Sequence, residues 1–114
     1  MKNVAVNLNR HDISRICIVL AAEFCYERRD DVQYITRFEG EERKAKAAEF
    51  EKQTRFLQEY HTRLIVTITR QMKKRSGGIY RRDWAELEKS CVDRIRQGAE
   101  EVIKEGYGDT STLS

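Results

Sequence analysis

Apolar side chains recur along this chain at helical rather than strand spacing. Ile13, Ile16, Cys17, Leu20 and Phe24 fall on one face of a 3.6-residue repeat, while Ile18, Val19, Ala21, Ala22 and Cys25 fill the other sides. The pattern predicts a first helix over about 10–29 whose middle is apolar all round, the mark of the central and most buried helix. Asn9, with Asp12 three positions on, reads as its N-cap and a near capping box. Asp30, Asp31 and Gln33 then restart a short amphipathic element carrying Val32, Ile35 and Phe38, which Gly40 separates from the next helix.

From Glu41 to about Arg75 there is neither Gly nor Pro, and Phe50, Leu57 and Leu64 repeat every seven residues, with Ile68 and Met72 closing the face. A single helix of that length is about 50 Å long, whereas a compact domain of this size has a radius of gyration of about 13 Å. The helix must therefore kink or project at one end. Its Glu41–Lys52 half, with Phe50 as the only large apolar residue, is the expected arm. Ile65–Thr69 is locally β-prone and could pair with Val4, Val6 and Leu8, which alternate as a short strand does; helical context favours a helix there.

Asp83 followed by Glu86 is a second capping signature. Trp84, Leu87, Cys91, Ile95, Ala99 and Val102 then keep i, i+3, i+4 spacing to Glu105, with Gly106 where a C′ glycine belongs. The expected fold class is all-α: a bundle of three long helices, with a short extra helix and a short N-terminal strand. Residues 1–106 form one helical domain and 107–114 a flexible polar tail.

Composition narrows the class. Apolar residues are 39% and charged residues 36% of the 114, and proline is absent. That balance suits amphipathic helices with wide solvated faces and disfavours turn-rich β folds. Cys17, Cys25 and Cys91 are an odd number within apolar patterns and lack C-x-x-C spacing, which fits buried thiols in a reducing compartment. Met1–Arg10 has no apolar signal core, and Ile16–Ala22 is too short to span a bilayer, so a cytoplasmic protein without a membrane partner is expected.

Charge then singles out one turn. Residues 73–82 hold five cations, no acid and the only Gly-Gly pair, in a chain of net charge +3. Lys73, Lys74 and Arg75 end a helix, where cations complement the macrodipole. Arg81 and Arg82 precede the next helix, whose N-terminus favours anions, so the same argument does not cover them. With Arg70 and a Tyr80 able to stack or donate a hydrogen bond, the set Arg70, Lys73, Lys74, Arg75, Tyr80, Arg81 and Arg82 reads as a docking site for phosphates or acidic side chains. A solubilising loop is the competing reading.

Tests for catalysis come out empty. No phosphate-loop glycine pattern, H-E-x-x-H or serine elbow occurs. The two histidines, His11 and His61, offer at most a Cys17–His61 nucleophile pair across packed helices, and a histidine at a core margin is the plainer account. No catalytic residue, metal ligand or cofactor is assigned.

The opening Val6-Asn7-Leu8-Asn9-Arg10 running into an apolar helix, and the late Asp83-Trp84-x-x-Leu87, resemble segments of the small helical accessory proteins encoded by phages and mobile elements of Gram-positive bacteria. Many of those carry Thr where Asn9 stands here. The resemblance implies a non-enzymatic protein that acts by binding a larger protein or nucleoprotein complex. Inhibitors of host-defence nucleases, anti-CRISPR proteins among them, are one version. Direct nucleic-acid binding through the basic turn is the alternative, and the Phe50–Leu57–Leu64 repeat permits a homodimer seam.

Overall fold

The computed structural model describes residues 8–76 and 80–108, and among them it holds three helices and no strand. Helix α1 runs Arg10–Ile35, α2 Gly40–Arg75 and α3 Arg81–Gly106. The short connections make an up-down-up bundle, so α1 and α3 run parallel and α2 runs against both. The expected N-terminal strand falls on 4–8, of which all but Leu8 lies outside the described residues.

The expected capping box at the start of α1 is present. The Asp12 amide donates to Asn9 Oδ1 at 2.9 Å, and the Asn9 amide donates to Asp12 Oδ2 at 3.0 Å. The separate short helix is not found, because α1 continues through the acidic pair to Ile35. Its core register, Cys17, Ala21, Phe24, Arg28, Val32 and Ile35, never breaks. Arg28 holds that register while buried: Nη2 meets Asp31 Oδ2 one turn on at 2.6 Å, Nη1 donates to Gln53 at 3.4 Å, and the guanidinium lies 5.4 Å from the Phe50 ring centre. Asp31 is thus a helix-internal partner rather than a new start.

Helix α2 is unbroken, and its first half does not project. Ala47 and Phe50 are buried with Val32, Ile35 and Val102 in a cluster at one end of the bundle. Arg43 donates from Nε to the Gly106 carbonyl and from Nη2 to the Glu105 carbonyl, both at 3.1 Å, satisfying the last carbonyls of α3. The length problem is resolved by the shape of the whole molecule. It measures 55 × 38 × 17 Å with a radius of gyration of 17.2 Å, so the bundle is as long as its longest helix. Ile65–Thr69 is helical, and the Thr69 hydroxyl lies 3.0 Å from the Ile65 carbonyl oxygen and 2.9 Å from Glu88 Oε1 on α3.

A second cluster, Cys17, Ala21, Phe24, Ile65, Cys91, Ile95 and Ala99, fills the middle of the bundle. Two sequence readings of α3 are corrected. Its N-cap is Tyr80, so Asp83 lies inside the first turn and Glu86 pairs with Arg82. Gly106 is the last helical residue, packed against Val32, Phe50 and Ala47, and the positive φ after the helix belongs to Gly108 at 85°. Tyr107, the first residue of the expected tail, donates its hydroxyl hydrogen to Glu51 at 2.8 Å; 109–114 lie outside the described residues.

Helices α1 and α2 touch each other less than either touches α3. Packing three helices around one core leaves each with an outward face.

Candidate functional site

Three helix ends meet at one pole of the bundle: the start of α1, the end of α2 and the start of α3. Across 8–20 and 66–90, the segments that build this pole, nine Lys and Arg face four Asp and Glu. Every residue of the expected site is here; Gly77, Gly78 and Ile79, between its two halves, lie outside the described residues. Lys74, Arg75, Tyr80, Arg81 and Arg82 are exposed and Lys73 is half-buried.

The site residues are not equivalent. Arg82 Nε sits 3.2 Å from Glu86 and Arg70 Nε 3.6 Å from Glu88, so these two cations are partly neutralised in place. Among the described residues no ion pair within 4 Å engages Lys73, Lys74, Arg75 or Arg81. Arg81 and Arg82, expected ahead of the helix, form its first turn. Cations there oppose the positive end of the macrodipole, which Asp83 offsets only in part.

Tyr80 is already engaged. The Arg10 guanidinium lies over its ring, 3.8 Å from the centre, and bridges the starts of α1 and α3. Sequence reasoning missed Arg10 and His11 as members of the pole. Below the bridge, Arg10, His11, Ser14, Asp83 and Trp84 line a small cleft between the two helix starts. Trp84 is buried there, and its indole N–H has no hydrogen-bond partner among the described residues.

A second surface was also missed, and it overturns an expectation. Helix α1 is not buried all round. Ile18, Val19 and Tyr26 are 47%, 49% and 77% exposed on the side opposite Cys17, Phe24 and Arg28. With half-buried Ala22 and Cys25 they form an apolar strip along the uncovered back of the helix. The i, i+4, i+8 spacing of Ile18, Ala22 and Tyr26 was the available signal: it marks a second apolar stripe rather than deeper burial.

The imagined nucleophile pair is not formed. His61 Nδ1 is 2.8 Å from the Leu57 carbonyl oxygen and its ring packs on Phe24 at 5.3 Å between centroids. The Cys17 thiol is pushed up to about 11, first by burial and then by Cys91 beside it. A thiol so shifted holds almost no thiolate at neutral pH. Among the described residues no group of three or more His, Cys, Asp or Glu could hold a metal ion, and no helix is long and apolar enough to cross a membrane. Of the seven-residue repeat, Phe50 is buried and Leu57 packs against the central cluster.

No family model matches the chain, and comparison with curated proteins and with solved structures finds no match.

Proposed function

We propose that the protein is a non-enzymatic binding protein that docks its basic pole on an acidic surface of a larger protein or nucleoprotein. The observation that carries this reading is the set of cations at the pole that lack ionic partners among the described residues, Lys73, Lys74, Arg75 and Arg81, backed by two helix N-termini. Stability gives no reason to hold Arg81 at a helix start; an external anion does. Inhibition of a host-defence nuclease, as in phage-encoded anti-CRISPR proteins, is the version of this reading that the sequence resemblance supports.

Direct nucleic-acid binding ranks second. The pole could contact phosphates, but Arg10 already lies over one face of Tyr80 and competes with a base for stacking there. The reading is tested with tagged protein and the double variant Lys74→Glu, Arg81→Glu in pull-downs with and without nuclease. A protein partner retained after nuclease treatment by the parent and lost by the variant supports the proposal. Recovery that disappears with nuclease moves the function to nucleic acid. In that case log affinity falls with log salt at a slope of about −3.6 for about four phosphate contacts. Undiminished capture by the variant removes the pole from the function.

A further inference from the structure

Ser76 closes helix α2 in the middle of the cationic pole. It is the C-cap residue and half-buried; its amide donates to the Met72 carbonyl at 3.0 Å and its hydroxyl to the Lys73 carbonyl at 3.2 Å. Lys73, Lys74 and Arg75 stand immediately before it, whereas every other Ser and Thr of the chain has at most one Lys or Arg in the three positions before it. No acid lies between Glu59 and Asp83 in the sequence. Of the acids that face the pole, Glu88 is engaged by Thr69 and Arg70, Glu86 by Arg82, and Asp12 by the Asn9 amide.

The macrodipole favours cations at a helix C-terminus, but it acts on all three helices. The last turn of α1 holds no basic residue and that of α3 only Lys104, against three in α2. The run before Ser76 is thus denser than the helix end accounts for. Serine kinases choose substrates by the charges around the acceptor, meeting cations before the hydroxyl with carboxylates of their own. Reaching this hydroxyl needs only the last turn of α2 to open, the low-energy end of local unfolding.

We propose that Ser76 is a phosphorylation site, modified by a serine kinase that reads the cations before it, and that the phosphate switches off docking by the pole. Ser76 Oγ attacks the γ-phosphorus of a nucleoside triphosphate and the bond to the bridging β–γ oxygen breaks. Nucleoside diphosphate leaves, and a base of the kinase takes the hydroxyl proton. The new group brings a charge of about −1.5 to −2 at neutral pH. It stands within five residues of Lys73, Lys74, Arg75 and Arg81, the cations without ionic partners among the described residues, and cancels close to half of their charge. Charge-assisted hydrogen bonds to these side chains compete with a partner's carboxylates. The negative end of α2 disfavours the phosphate, and the three cations of the last turn offset that, so the fold is kept. The switch rests on the docking reading given above; the modification itself does not.

The full chain is incubated with magnesium ATP and the catalytic subunit of a serine kinase that selects lysine and arginine before its acceptor, and the phosphate is mapped by peptide mass spectrometry. A kinase that selects acids after its acceptor is the control. Expected is phosphate on Ser76 with the first enzyme and none there with the second. Lys73→Gln with Arg75→Gln should cut the rate at least about tenfold. Protein recovered from the cells that make it should carry the same phosphopeptide. Phosphate only at other residues, an unchanged rate in the cation variant, or a wholly unmodified Ser76 in the native protein overturns the site. Anisotropy of a fluorescein-labelled polyglutamate peptide then reads the switch. The phosphorylated chain should bind it at least about tenfold more weakly than the unmodified chain, while Ser76→Ala treated in the same way keeps the parental affinity. Circular dichroism checks that helicity is retained. Equal binding by both forms overturns the switch. A peptide bound no better by the unmodified parent than by Lys74→Glu with Arg81→Glu overturns the docking reading and the switch with it, and leaves the mapped phosphate standing.

Discussion

Gly98 of α3 faces the Cys25 sulfur of α1 so closely that a methyl group on Gly98 would stand 2.7 Å from it. The glycine costs helix propensity of about 1 kcal/mol against alanine, and it is retained at the point where the two parallel helices approach each other. Gly98→Ala alone should therefore destabilise the fold, since overpacking costs typically 1–3 kcal/mol and outweighs the propensity gain. In a Cys25→Ala background the nearest neighbour becomes the Cβ at 3.5 Å, an ordinary contact. There the same substitution should stabilise by up to about 1 kcal/mol. Urea unfolding of the four proteins checks the reversal of sign; a destabilising Gly98→Ala in both backgrounds would show that sulfur contact is not the cause.

Arg28 and Asp31 predict an asymmetry. Arg28 is 4% exposed, with its Nε unpartnered among the described residues, whereas half of the Asp31 side chain meets solvent. Removing the acid leaves a buried guanidinium short of its counter-charge. Asp31→Asn should cost on the order of 1–3 kcal/mol. Arg28→Met keeps the packing on Phe50 and frees an aspartate that water can solvate, so its cost should be smaller. Thermal melts that rank the two the other way would show that Arg28 contributes mainly as a cation.

The cysteines predict a loss of stability at high pH. Burial raises Cys17 to about 11 and also raises Cys25 and Cys91 above the ordinary value of 9.0. A group whose folded pKa is raised favours the folded state while it is protonated in both states. Above about pH 9 the unfolded chain deprotonates first, so this contribution is lost as pH climbs towards 11. For Cys17 the loss is at most roughly 3 kcal/mol at 1.36 kcal/mol per unit. The stability of Cys17→Ala should fall less steeply between pH 8.5 and 10.5, as denaturant midpoints would reveal (about two pH units of scan suffice). Native protein should also leave the Cys17 and Cys91 thiols unmodified by iodoacetamide at neutral pH, with both reacting once unfolded.

Local pattern made the elements legible and hid their environment. Trp84, Cys91, Ile95, Ala99 and Val102 were readable as the buried face of α3 because one stripe served one core. The apolar residues of α1 serve two surfaces, and periodicity counts apolar positions without saying what covers them. Whether Ile18 and Val19 are covered is decided by the packing of three helices together. Helix α2 was misjudged for a related reason: Ala47 and Arg43 make its contacts with the far ends of α1 and α3, and neither residue type signals burial. The cationic pole was visible as a run between Arg70 and Arg82. Its partner Arg10 lies 70 residues from Tyr80, and only the fold brings the two together.

The parallel course of α1 and α3 gives the molecule an electrical direction. Their two positive macrodipole ends, offset in part by the negative end of α2, add to the side-chain charge of one pole, and the rest of the described chain carries a small negative excess. An acidic target would draw the protein in pole first, at a rate that salt slows.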